Sequence, residues 1–450
     1  MAKTGVTAAK KWSEMTWQER REERFKRWLY PRDVKFVSPA AEKSYKERVT
    51  RFIKAIKLEE PDRVPCILPA GSFPAYHAGT TLRHVMYDYD ALRDAWKKFL
   101  NEFDGDTYSS PGVVPSARVS EIIDSKTTRW PGHGLTESAR FQQFVEGEYM
   151  KADEYDRLID DPSDYCLRCY IPRSLGALEP FAKLMPFSHL LGMPTRLLGA
   201  CTLPEVQEAF LALVAAGREL AKYQEVIRQC GREGQAAGFP LFHGGMSQAP
   251  FDTFADTLRG TRGIVLDMYR QPEKLFQAME RVTPLNISLG VDAANLTGGP
   301  IVFIPLHKGD DTFMSDKQFD TFYWPTLRKL VLGLVEEGCV PLLFAEGRYN
   351  RRLKQITDLP RGSVLWHFDQ TDMAEAKTAL GGNVCISGNV PTSLLITGTA
   401  AEVKEYCRRL IEVCAPGGGF ILTGGASIDS GKAENLHAMM EAAREYGRYK

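Results

Sequence analysis

The chain has 450 residues, 44% hydrophobic and 25% charged, the composition of a globular protein with enough apolar residues to bury a large core. Lys plus Arg and Asp plus Glu each number 57, so no basic surplus is present to hold a polyphosphate backbone and nucleic acid is not an expected partner. No run approaches the roughly 18 consecutive apolar residues of a membrane helix, and the N-terminus lacks an apolar signal core, so no membrane contact and a cytoplasmic location are expected.

Residues 1–45 are rich in Lys, Arg, Glu and Trp and are predicted to form an N-terminal helical extension that packs its aromatic residues on the body or on another subunit. A helical run through Arg51, Phe52, Ile53 and Ile56 then leads to Glu60-Pro61-Asp62-Arg63 and a first strand at Val64 to Leu68. A second strand is expected at Asp106 to Ser109. The stretch of about 111–238 reads as a helical insertion, clearest at Leu203 to Gly231. Nine scattered cysteines, an odd number, argue against a disulfide framework and for a reducing compartment. Cys166 and Cys169 have the spacing of half a structural zinc site, but no second pair or nearby histidine completes it.

Short apolar runs then recur at Phe239–His243, Ile301–His307, Val340–Glu346, Val364–Asp369, Val384–Ser387 and Phe420–Thr423, separated by helical segments such as Asp316–Glu337 and Ala401–Ala415. Buried strands alternating with amphipathic helices mean βα units and a parallel sheet. The strand count reaches eight, which fits a closed barrel, although counting alone does not separate a barrel from a doubly wound sheet. His243, His307, Glu346, His367 and Asn389 each fall at or just beyond the C-terminal end of a run. In a (β/α)8 barrel those ends converge on one face, where active sites lie.

The segments Glu47-Arg48-Val49, Glu59 to Pro65, Gly388-Asn389-Val390-Pro391, Gly398-Thr399, Glu402-Val403, Pro416 to Leu422 and Glu434-Asn435-Leu436 resemble the uroporphyrinogen decarboxylase superfamily. The resemblance covers residues 46–450 and implies an α/β fold, a (β/α)8 TIM-type barrel carrying the extension and the insertion. True decarboxylases of porphyrinogen have an Arg-rich opening segment; here the chain reads Pro69-Ala70-Gly71-Ser72-Phe73, with no arginine for the substrate's carboxylates. Superfamily members that methylate thiols bind zinc through His-x-Cys and a further Cys. This chain reads Phe344-Ala345-Glu346 and Gly425-Ala426-Ser427 at the corresponding places, so both sulfur ligands are missing. What remains is similar to the corrinoid-dependent O-demethylase methyltransferases, whose zinc motif is Glu-x14-Glu-x20-His. Twenty residues lie between Glu346 and His367, as in the second half of that motif, whereas the first half meets Val331.

The resemblance therefore implies a zinc-assisted methyltransferase that moves a methyl group from an O-methyl (methoxylated) or related small substrate to a corrinoid. Glu346, His367 and His307 are the expected metal ligands. Asp310, in the loop after His307, and Asn389 are the expected catalytic residues, and His243, Tyr349 and Ser427 the expected substrate contacts. Each has a plainer reading. A strand-end Glu pairs with a nearby Arg such as Arg348 or Arg351, a strand-end His donates to a backbone carbonyl, and an Asp-rich loop caps the next helix. Gly417-Gly418-Gly419 precedes its strand, so it ends a helix and turns the chain rather than cradling phosphate. Gly424-Gly425 follows the strand and would let a bulky ligand approach the backbone. No Asp-x-His-x-x-Gly corrinoid-ligating sequence occurs, so a separate corrinoid protein is the expected partner. The insertion, with Trp130-Pro131-Gly132-His133-Gly134, would supply a lid, a docking surface or a homodimer contact. Methyl transfer between corrinoid and tetrahydrofolate, and a metal-free decarboxylase or lyase acting on a small carboxylic acid, are the alternatives.

Overall fold

The structure, a computed structural model, describes residues 10–449; residues 1–9 of the expected extension lie outside the described residues. Six strands form one parallel sheet in sequence order: β4 (Gly245–Met246), β5 (Ile301–Leu306), β6 (Val340–Ala345), β7 (Leu365–Phe368), β8 (Cys385–Val390) and β9 (Phe420–Gly424). A smaller sheet of β1 (Thr128–Pro131), β2 (Gly134–Leu135) and β3 (Gln143–Phe144) stands apart in the order β2-β1-β3.

Strand side chains alternate in direction, and here the alternation sorts them into two cores. Ile301, Val340, Leu342, Leu365, Cys385 and Ile421 share one cluster with Phe25, Trp28, Tyr45 and Phe52 from the N-terminal helices. Val302, Ile304, Leu343, Trp366, Ile386 and Leu422 share the other with the helices that follow the strands. Both faces are apolar, so the strands read as continuous hydrophobic runs, and β8 and β9 are buried at every position.

The N-terminal helices Trp17–Leu29 and Pro39–Ile56 thus pack on the body of this chain. Phe25, Trp28 and Phe52 are buried, each contributing on the order of 1.5–3 kcal/mol. Arg20 donates to Glu336 O at 2.8 Å and Arg24 to Glu337 O at 2.9 Å, satisfying carbonyls at the C-terminus of helix Trp324–Glu336. The Pro61-Asp62-Arg63 segment has a structural role as well. Asp106, fully buried, accepts from Arg51 at 2.6 Å, from Arg63 at 2.7 Å and from the Cys66 amide at 2.7 Å, while Asp62 holds the far side of Arg51 at 2.6 Å. These ion pairs lock the two segments expected as the first strands against each other.

Those two segments form isolated parallel bridges, Cys66 with Leu422 and Tyr108 with Leu241, instead of continuous ladders. The run at Phe239–His243 also differs from expectation: laddered pairing begins only at Gly245. A side chain at Gly244 would lie 2.2 Å from Gly299 O, so the backbones meet there too closely for a regular pleat.

The insertion is mostly helical, and its long helix runs Pro204–Ala236, past the expected end at Gly231. The small sheet was not expected. Trp130, expected in a lid, docking or dimer surface, is fully buried and stacks on His133 with ring centroids 4.0 Å apart, because β1 turns its indole into a cluster with Leu82, Val85, Met86 and Trp96, which precede the insertion. Seven of the nine cysteines are buried and all nine are free. Among the described residues no single helix is long and apolar enough to cross a membrane. At the far end of the sheet, helix Ala400–Cys414 is followed by Gly417, Gly418 and Gly419 at φ of 77°, 77° and 74°, and a Cβ on Gly418 would lie 2.7 Å from Glu59 O. Left-handed backbone in close approach explains that glycine run.

Candidate functional site

The C-terminal ends of β4, β5 and β6 bring charged groups together. After β4 the chain enters a short helix, Pro250–Asp252, that widens into a π-helical turn, Thr253–Leu258, a feature frequent at functional sites. Asp252 and Asp256, one turn apart, lie on the same side of it. β5 ends at Leu306 and delivers His307; β6 ends at Ala345 and delivers Glu346.

His307 Nδ1 donates to Asp256 Oδ2 at 2.6 Å, and Nε2 lies 3.6 Å from Glu346 Oε1. Asp252 is 1% exposed. Its Oδ2 accepts from the His307 amide at 3.0 Å and from the Tyr323 hydroxyl at 2.8 Å, while Oδ1 has no hydrogen-bond partner. Asp252, Asp256 and His307 each offer a ligand atom within 4.8 Å of the others, the one such trio among the described residues. Lys308 borders the cluster, 3.5 Å from Asp256, and is paired with Glu146 of the insertion at 2.7 Å.

Electrostatics follow from these neighbours. Burial, then the nearby Asp256 charge, hold the Asp252 carboxyl well above the usual carboxylate range. Burial pulls the His307 imidazole down, but the Asp256 hydrogen bond and Glu346 outweigh it and raise the group to about 10. Burial lowers Lys308, and the Glu146 contact with the surrounding carboxylates reverses that into a rise.

The ends of β7, β8 and β9 are arranged differently. His367 stands beside Phe344 in register, ring centroids 4.6 Å apart, and its Nε2 faces Gly424 O at 2.8 Å. His243 packs at 5.1 Å against Phe303, which stacks on Phe344 at 6.0 Å. Depth among protein atoms takes both imidazoles down to about 4, with the His367 charge adding to the effect on His243. By exposed area His243 is nonetheless open to solvent and His367 partly so. Asn389 is buried and donates to Thr371 O at 2.7 Å; it lines a separate cleft of about 940 Å³ with Asp311, Arg348, Asp369, Asp372 and Arg409.

The expected residues thus divide. His307 and Glu346 come together; His367 does not complete a trio with them, because its ring turns to the Gly424 carbonyl while Glu346 turns to His307. Asp310, expected as catalytic, spends its carboxylate on its own loop, accepting from the Thr312 amide at 3.2 Å and the Phe313 amide at 3.1 Å. Tyr349, expected to touch substrate, is fully buried between the sheet and its helices against Trp366, with its amide donating to Thr371 Oγ1 at 3.0 Å. Ser427 is exposed on the loop after β9. The space foreseen beside Gly424 and Gly425 is filled by protein: a Cβ on Gly425 would lie 2.8 Å from Asp369 Oδ1, and one on Gly424 2.8 Å from Pro69. Asp252 and Asp256 were missed. Their signal, two Asp four apart just after a strand, was present in Phe251-Asp252-Thr253-Phe254-Ala255-Asp256.

Residues 216–446, a little over half of the chain, match the family described as uroporphyrinogen decarboxylase (URO-D). The chain belongs to the uroporphyrinogen decarboxylase family. No match was found among curated protein sequences. Among solved structures the URO-D chain is similar to a methyltransferase from Methanosarcina mazei, at 16% identity and a TM-score of 0.57, over 88% of this chain and 98% of that one. At that identity the likeness is one of fold, and the site of this URO-D member must be argued from its own residues.

Proposed function

We propose that the chain is a methyltransferase on a closed (β/α)8 barrel, moving a methyl group from an O-methyl or related small substrate to the corrinoid of a partner protein with the help of a divalent cation, zinc in the first instance. Closure is supported by hydrogen bonds at both sheet edges: Ile67 N to Leu422 O at 2.9 Å, Asp106 N to Cys66 O at 2.9 Å, Tyr108 N to Pro240 O at 2.9 Å and Gly244 N to Ile301 O at 2.8 Å. The fold likeness to a methyltransferase supports the reaction class. The observation that carries the reading is the His307 cluster. It gathers carboxylate oxygens and an imidazole, with no thiolate, at the strand ends where barrel enzymes place their chemistry.

Oxygen and nitrogen donors suit a hard, Lewis-acidic ion. Bound there, a cation supplies charge stabilisation to the alkoxide or phenoxide leaving group of a methyl ether. A cobalt(I) corrinoid brought by the partner would supply the electron pair that accepts the methyl group, and the alkoxide or phenoxide released would take its proton from solvent. His307, Asp256 and Glu346 bind and orient at this end, and Lys308 with Glu146 ties the insertion down beside it. The test is spectroscopic: the full chain, free cob(I)alamin and a panel of methoxylated compounds should give methylcobalamin from at least one donor. No methylcobalamin from any donor, with zinc present, would count against the reading.

One observation favours a second reading. His307 is already neutralised by Asp256 and Glu346, a self-sufficient acid–base group for a metal-free decarboxylase or lyase acting on a small carboxylic acid. Carbon dioxide release from small carboxylic acids in chelator-treated protein would select it.

A further inference from the structure

We infer that Asp252, Asp256 and His307 form a binding site for one first-row divalent cation, with Glu346 outside the ligand set orienting the imidazole. The inference supplies ligands for the cation of the methyl-transfer reading, yet it concerns binding and is tested without turnover.

Three features support it. The first is the trio itself, two carboxylates and an imidazole with ligand atoms within 4.8 Å of one another, so that modest side-chain rotation brings them to a common ion. The second is Asp252. A carboxylate oxygen buried without a partner costs on the order of 1–3 kcal/mol or more, and Oδ1 of this 1% exposed residue is left in that condition while Oδ2 takes two hydrogen bonds. Held from Tyr323 and the His307 amide, Asp252 is oriented as metal-ligating carboxylates are, by partners behind them.

The third feature is the imidazole's other nitrogen. A metal-ligating histidine nearly always donates its second ring N–H to a carboxylate or carbonyl, and Nε2 of His307 faces Glu346 at 3.6 Å while Nδ1 faces Asp256 at 2.6 Å. The proton now shared by His307 and Asp256 occupies the place the ion would take. Lys308, the one cation bordering the trio among the described residues, is turned toward Glu146 at 2.7 Å and stands farther from Asp256, at 3.5 Å. With neutral His307, the carboxylates of Asp252, Asp256 and Glu346 would more than balance a divalent charge. The imidazole favours zinc over magnesium or calcium, and the two carboxylates also admit manganese.

The experiment uses the full chain, stripped with chelator and dialysed, titrated with Mn2+ read by electron paramagnetic resonance and with Zn2+ read by competition with a chromophoric chelator. One Mn2+ or one Zn2+ per chain is expected. Asp256→Asn and His307→Ala should each weaken binding about 100-fold or more, and Glu346→Gln about 10- to 100-fold with the stoichiometry kept. His367→Ala should bind as wild type. Asp256 and His307 lie toward solvent, and circular dichroism of their variants is the control for folding; Asp252, in the core, is left unchanged. Failure of the wild type to bind either ion overturns the inference, as does unchanged affinity in Asp256→Asn or loss of the ion in His367→Ala. Ion binding without methyl transfer would remove only the proposed reaction, and methyl transfer that ignores these substitutions would remove only the ligand assignment.

Discussion

The two halves of the sheet's C-terminal edge differ in what their polar groups are doing. At β7 to β9, His367 faces a backbone carbonyl, Asn389 donates to another, and Gly424 and Gly425 are covered by Pro69 and Asp369. At β4 to β6, Asp252, Asp256, His307 and Glu346 face one another, and one buried carboxylate oxygen has no partner. Polar groups committed to backbone hold a fold together; charges gathered with an unmet valence are available for chemistry.

If that contrast is right, His307→Ala should lower methyl transfer by about 10³-fold, the range for removing a group that serves charge development, whereas His367→Ala should lower it by less than about tenfold. Initial rates of methylcobalamin formation measure both, and equal losses would erase the distinction. Arg352 sharpens it from behind. Fully buried, this residue donates to Gly309 O and Asp310 O, each at 3.3 Å, and pairs with Asp316 and Asp311, holding the loop that carries His307. Arg352→Ala leaves those groups unpaired and should cost about 3–5 kcal/mol in urea unfolding.

On the committed side, Gly425→Ala forces a Cβ to within 2.8 Å of Asp369 Oδ1. It should destabilise by about 1–3 kcal/mol while cation affinity stays within about twofold. A further effect is in pH. His243 and His367 sit at about 4 in the folded chain, below the ordinary histidine range. The unfolded chain therefore binds more protons than the folded one between about 6.5 and 4, and stability should fall as pH drops through that window. A double His243→Gln, His367→Gln variant should flatten that slope in urea melts taken across it.

Much of this architecture was legible because its signals are local. Runs such as Val340-Pro341-Leu342-Leu343-Phe344 are apolar on both faces, which only a doubly covered parallel strand needs, and strand-end His307 and Glu346 followed directly. Legibility failed where geometry depends on distant chain. Whether His367 turns to a carbonyl or to Glu346 depends on the position of Gly424, 57 residues away. The burial of Tyr349 against Trp366 and of Trp130 against helices that precede the insertion depends on packing that spacing does not encode. Asp310 was read as catalytic although its own loop amides take its carboxylate, the commoner fate of an Asp at a turn. Asp252 and Asp256 were overlooked because the strand before them was placed several residues early.

Anomalous X-ray scattering at the zinc edge, from crystals grown with stoichiometric zinc, tests the division of the edge most directly. A single strong peak among the carboxylates of Asp252 and Asp256 and Nδ1 of His307 is the result expected. A peak coordinated by Glu346 and His367, or crystals with no ordered peak near His307, would contradict it.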